Sequence, residues 1–176
     1  MCEGLLHHMF QYPEVARSKL NTKECIKILQ FDEVKVKRSL EYDVKKEEVV
    51  SPFLYMQVVM AQGLFSKWKQ PVYVNFDTKM RKDILESIII KLHGVGYVVK
   101  VIISNLGGRN VCLWKEMRIS TEKTFFNHPS AESEKMYLFT DPSHLLKLIR
   151  NWFLDTGLML PDYKGPVAAF INAEKS

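Results

Sequence analysis

The sequence predicts an α/β fold built on a mixed sheet, with antiparallel strands first and alternating helix and strand after them. Three observations carry this. From residue 28 to residue 50 polar and apolar positions alternate around a polar turn, the mark of pairing strands. The period then changes at "MRKDILESIIIKLHGVG", where apolar residues recur at helical spacing. A short, nearly continuous apolar run, "YVVKVIIS", follows at once and reads as a buried strand.

Each element has its own warrant. Residues 1–27 are mixed, with weak helical character around "EVARSKL" and "TKECIKI". In "ILQFDEVKVKRSLEYDVKKEEVV", alternation sets Gln30, Asp32, Val34 and Val36 on one face and Phe31, Glu33, Lys35 and Lys37 on the other. The valines give the face of Asp32 a core-like character. "DVKKEE" is the turn that brings the chain back. "FLYMQVVMAQGLF" is a β-leaning run suited to a strand covered on both faces, and "VYVNF" is a further strand with Pro71 at its entry. The first helix turns Met80, Ile84, Leu85, Ile88, Ile89 and Leu92 inward, with Gly94 as its C-cap. "RNVCLWKEM" is a short helix with Val111, Trp114 and Met117 inward, and "KMYLFT" is a strand. "DPSHLLKLIRNWFLDTG" is a well-marked helix. It has Asp141 at the N-cap, Pro142 at N1 and Gly157 at the stop, and the apolar face Leu145, Leu146, Ile149, Trp152 and Phe153 is expected to be buried.

Composition narrows the function classes. The 176 residues suffice for one domain with a full core. A hydrophobic share of 47% and a charged share of 26% place the chain among globular proteins. The net charge of +5 permits a nucleic-acid partner without requiring one, since a modest lysine excess is more often a solvated surface. Cys2, Cys25 and Cys112 are odd in number and widely spaced, which supports neither a disulfide framework nor a zinc finger and fits a reducing compartment. "MCEGLLHHMF" lacks the layout of a secretory signal, no run reaches membrane-spanning length, and no membrane partner is expected. His7 and His8 form a pair without further ligands nearby.

The order of strands and helices is that of the ribonuclease H-like fold. Five stretches point further: "FDEVKVKRSLEYD", "MAQGLFSKWKQPV", "ISNLGGRNVCLWKEMRIS", "FFNHP" and "YLFTDPSHLLKLIRNWFLDTG". In this order, over roughly residues 28–160, the chain resembles the ribonuclease H-like catalytic domain of P-element-type transposases, the family that includes the THAP-domain transposases. On that reading residues 1–27 are an amino-terminal extension and residues 161–176 a tail.

The resemblance implies DNA cutting and joining with two divalent metal ions. Two magnesium ions about 4 Å apart repel one another, so bridging and flanking carboxylates must neutralise them. The family uses an Asp on the first strand, an Asp at the end of the fourth and a Glu on a late helix. Asp32 in "QFDEVK" matches the first and is the expected metal ligand. Asn105 matches the second, and its amide brings no negative charge. Asn105 also suits a simple turn before "GGRN", because Asn bonds nearby backbone readily. The third acid follows an insertion beyond "HLLKLIRN"; the sequence ends soon after, and Glu174 in the tail is not assigned to that role.

Two further stretches have double readings. Asp141 is fully explained by capping, yet the family's motif lies near the active-site face, which makes it a second-tier site residue beside His144. "NLGGRN" lacks the lysine and spacing of a nucleotide-binding loop and reads as a tight strand-to-helix turn. Lys35, Lys37 and Lys45, in a basic hairpin with interleaved aromatics, are candidate nucleic-acid contacts as well as ordinary solvated lysines.

The combined expectation is a truncated, catalytically inactive transposase domain that acts as an interaction module for DNA or protein. It needs no cofactor, and the nucleus is favoured over the cytoplasm. The alternative is a residual magnesium-dependent nuclease or strand-transferase, with Asp32, Asp141 and a partner chain completing the site.

Overall fold

The computed structural model describes residues 4–6, 21–36, 41–43, 47–50 and 53–157. The chain divides into two compact units, residues 1–139 and 140–176. The first holds the sheet. Its strands are β1 (Gly4–Leu5), β2 (Ile26–Lys35), β5 (Tyr55–Gly63), β6 (Lys69–Phe76), β7 (Val98–Ser104), β8 (Phe125–His128) and β9 (Ala131–Thr140), the last running to the unit boundary. They lie in the order β1-β6-β5-β2-β7-β9-β8. A separate hairpin pairs β3 (Glu41–Asp43) with β4 (Glu48–Val50). The helices are α1 (Lys82–Gly94), α2 (Gly108–Glu116) and α3 (Pro142–Thr156).

The mixed character sits at the centre. β2 runs antiparallel to β5 and parallel to β7, and β5 runs antiparallel to β6. This is the expected α/β, ribonuclease H-like arrangement. The parallel β2–β7 pair positions the candidate site. It brings Phe31 opposite Ser104, so the residues just beyond, Asp32 and Asn105, emerge side by side at one end. Pro71 sits within β6, opposite Met60, where the register shifts; a residue without an N–H is tolerated at such an irregularity.

The core lies on one sheet face, under α1 and α2. Leu29, Phe31, Val59, Val99, Ile102 and Met136 from the strands meet Leu85, Ile88, Ile89 and Leu92 of α1 and Leu113 of α2. Trp114 of α2 donates its indole N–H to the hydroxyl of buried Ser104 at 3.0 Å, which fastens α2 to the end of β7.

The core face of β2 is that of Phe31, 1% exposed, whereas Val34 is 48% exposed. Leu29 and Phe31 face the helices, so their alternating neighbours Gln30, Asp32 and Val34 take the opposite face. "TKECIKI" is a turn running into β2, because pairing with β5 and β7 overrides weak helical propensity. The residue with positive φ after α1 is Gly96, at 87°, and Val95 occupies the cap; the amides of Val95, Gly96 and Tyr97 return to the carbonyls of Lys91, His93 and Leu92. "FFNHP" contributes a strand, β8, that was not anticipated.

In the second unit α3 has the expected ends. Asp141 Oδ1 accepts from the amides of Ser143 (2.8 Å) and His144 (3.4 Å), Pro142 follows, and Gly157 ends the helix at φ 74°. Its apolar face is not buried: Leu146, Ile149 and Trp152 are 67%, 53% and 56% exposed.

Candidate functional site

The site is built where β2 and β7 end. Asp32, exposed, leaves the face of β2 opposite the core; Asn105 follows the last residue of β7. Asn105 Oδ1 accepts from the Gly107 amide at 2.9 Å and from Asn110 Nδ2 at 2.8 Å. The backbone N–H of Gly107 can only donate, so the amide orientation is fixed by chemistry. The Nδ2 group therefore faces Asp32 and donates to its Oδ1 at 2.5 Å. The same carboxylate oxygen accepts from the Glu33 amide at 2.8 Å.

The surrounding residues hold this pair in place. A Cβ on Gly107 would stand 2.9 Å from Asn105 Oδ1, so the glycine is there for close approach; its φ of −58° is open to any residue. Asn110, 5% exposed, comes from the first turn of α2 and fixes the far side of the amide. Gln57, 1% exposed on β5, donates to the Asp32 carbonyl at 3.0 Å. Beside the pair opens a cleft of about 320 Å³ lined by Glu33, Tyr55, Asn105, Gly107, Gly108, Arg109 and Asn110. Arg109 pairs with Glu33 at 3.2 Å and lies 5.3 Å from the Tyr55 ring centre. Asp77 sets Tyr55 by accepting its backbone amide at 2.9 Å.

Asp32 and Asn105 are thus brought together. Asp141 belongs to the second unit, where its carboxylate caps α3. Lys35 is exposed near the end of β2, while Lys37, Lys45, His7, His8 and Glu174 lie outside the described residues. Sequence reasoning missed Glu33, Arg109 and Asn110. The last two stand in "NLGGRN", already noted as a turn, but the partner of Arg109 lies 76 positions away in the chain.

The donor set does not fit a two-metal centre. A shared cation needs anionic oxygens on both sides. Here Asp32 faces an amide N–H, the Asn105 oxygen is already engaged twice, and Glu33 is paired with a guanidinium. Among the described residues no group of three or more His, Cys, Asp or Glu gathers as a metal site.

Comparison with known proteins agrees with the fold. Residues 54–118 match the family described as TNP-like, RNase H N-terminal domain. The chain is 44% identical over 133 residues to the Transposable element P transposase of Drosophila melanogaster, covering 76% of this chain and 18% of that protein. It is 32% identical over 104 residues to human DNA transposase THAP9, covering 54% of this chain and 12% of that protein. The solved Drosophila P element transposase strand transfer complex superposes with a TM-score of 0.85 at 37% identity, over 94% of this chain and 37% of that one. The chain therefore spans less than a fifth of either curated relative, and what it shares with the P-element-type transposases is the ribonuclease H-like domain.

Proposed function

We propose that the chain is a non-catalytic, nucleic-acid-binding ribonuclease H-like domain of P-element transposase descent, acting in the nucleus. The observation that carries the reading is the Asn105 Nδ2 to Asp32 Oδ1 hydrogen bond. In a two-metal site these two positions share a cation. Here the amide hydrogen supplies the positive pole, and the carboxylate is satisfied without an ion. An entering cation must displace that hydrogen bond and then finds a neutral ligand already bonded to Gly107 and Asn110.

The nucleic-acid part draws on kinship with a transposase solved as a strand transfer complex and on the net charge of +5. Binding carried by lysines such as Lys35 falls steeply with salt, because released counterions drive it. Salt-insensitive affinity for DNA, or no binding of single strand or duplex at low salt, points to a protein partner instead.

A second reading, a residual metal-dependent nuclease, is favoured by one observation: Asp32 is retained and exposed to solvent. A supercoiled-plasmid nicking assay in magnesium separates the two. The chain as it stands is expected not to nick. Asn105→Asp should strengthen metal binding yet restore little rate, since the ligands of one site act as a unit. Metal-dependent nicking by the unmodified chain, abolished by Asp32→Ala, would overturn the non-catalytic reading.

A further inference from the structure

The sheet face opposite the core carries an aromatic surface at β8 and β9 that the Asp32 site does not use. Phe125 on β8 pairs in register with Tyr137 on β9, their ring centres 6.1 Å apart. Phe139 follows Tyr137 on the same face, and the alternating residues Met136 and Leu138 are buried in the core. Tyr137 and Phe139 are 42% and 53% exposed. Lysines rim the rings: Lys135 Nζ lies 4.4 Å from the Phe125 ring centre and Lys123 Nζ 6.0 Å. Exposed Asn127 stands opposite Lys135 and adds a polar amide.

We propose that this face docks single-stranded nucleic acid, with bases stacked on Tyr137, Phe139 and Phe125 and phosphates drawn to Lys123 and Lys135. Aromatic rings lying on a sheet offer every base a flat partner whatever the sequence. Two ammonium groups at the rim complement a phosphodiester strand, and over Lys135–Phe139 this face carries no carboxylate. The lysine over Phe125 is no obstacle. An exposed cation–π contact is weaker than base stacking, so the ammonium can leave the ring for a phosphate. A duplex keeps its bases stacked inside and cannot use the rings, so the surface selects for single strands. The inference rests on the nucleic-acid reading above for the class of partner only.

The test is fluorescence anisotropy of the full chain with labelled oligothymidylate and oligouridylate of about 15 nucleotides, against a duplex of equal length. The single strands are expected to bind. Tyr137→Leu with Phe139→Leu keeps an apolar surface without the rings and should weaken single-strand binding at least tenfold by rough estimate, with duplex binding changed less than about twofold. Tyr137→Phe should bind as well as the unmodified chain. Lys123→Ala with Lys135→Ala should flatten the salt slope by about 1.4, two single-strand phosphate contacts. Photocrosslinking of a bromouridine oligonucleotide to the unmodified chain needs no variant, and adducts should map to Tyr137, Phe139 or Phe125. Crosslinks confined to other surfaces, or losses equal on single strand and duplex, overturn the proposal. So does an unchanged single-strand affinity in the leucine double variant. Duplex binding by the unmodified chain without any single-strand binding overturns this surface and leaves the nucleic-acid reading standing. Absence of binding in both arms overturns both.

Discussion

β2 carries a charge near each end, and the two are handled in opposite ways. Lys27, 1% exposed, lies between rings, its Nζ 4.5 Å from the centre of Trp68 and 4.4 Å from that of Tyr97, and donates to the Glu24 carbonyl at 2.7 Å. Burial lowers its pKa below the ordinary lysine value, while Cys25 and Glu24 oppose that shift. Asp32 is exposed, held by an amide and a backbone N–H beside an open cleft. A charge sealed between aromatic faces is held away from solvent. A charge held at the rim by hydrogen bonds stays available to a ligand. The closed end of the β2–β7 pair is the anchor, and the open end carries the candidate site.

The largest expected effect is at the closed end. Lys27→Ala removes a buried stem and leaves a cavity, and should cost about 2–5 kcal/mol by chemical denaturation. Lys27→Met keeps the stem and loses only the cation–π and hydrogen-bond contributions, so about 1 kcal/mol is expected. If the two variants lose equally, the charge and not the packing holds this end.

At the open end, Gly107→Ala should cost less, about 1–3 kcal/mol, by pushing a methyl group onto Asn105 Oδ1. The amide must then turn from Asp32, which NMR would read as a shift of its Nδ2 protons. Unshifted resonances mean that the contact between Asn105 and Asp32 is loose.

A smaller effect depends on pH. His128, 1% exposed on β8, accepts from the Ser130 amide through Nδ1 at 3.1 Å and lies against His93, the ring centres 4.8 Å apart and the planes tilted by 56°. Burial lowers its pKa below 6.5; His93 and Lys100 add to this, and Glu134 opposes it. Between the folded value and 6.5 the unfolded chain binds the proton that the folded chain refuses, so stability is lost as pH falls through that window. Glu134, lowered below 4.5 chiefly by its hydrogen bond to Lys100, adds a further loss at lower pH. His128→Phe should flatten the upper part of the acid limb of a pH-dependent melting series; an unchanged slope assigns the loss to other groups.

The smallest effect belongs to α3. Its sequence pattern calls for burial, and Ile149→Ala would then cost several kcal/mol. With Ile149 53% exposed, a loss of less than about 0.5 kcal/mol is expected from chemical denaturation. A larger one means that the face is covered in solution.

What could be read ahead of the structure follows from the range of each interaction. α1 was legible because Leu85, Ile88, Ile89 and Leu92 repeat at the helical period within one segment. The ends of α3 were legible because Asp141, Pro142 and Gly157 act locally, while its exposure was not, because burial depends on what lies opposite. β8 was missed: "FFNH" is four residues long and shows no alternation. The position of Asn105 could be singled out, but the direction of its amide nitrogen could not, since Asp32 lies 73 positions away and Asn110 completes the geometry.

Between Asp32 and residue 105, an amide hydrogen bond is proposed to take the place of a shared cation. Calorimetric titration of magnesium and manganese into the unmodified chain, Asp32→Ala, Asn105→Asp and Asn105→Asp with Asp32→Ala tests it directly. No saturable binding to the unmodified chain is expected, with measurable binding to Asn105→Asp and loss of that binding when Asp32 is removed as well. Saturable two-ion binding by the unmodified chain, abolished by Asp32→Ala alone, would contradict it.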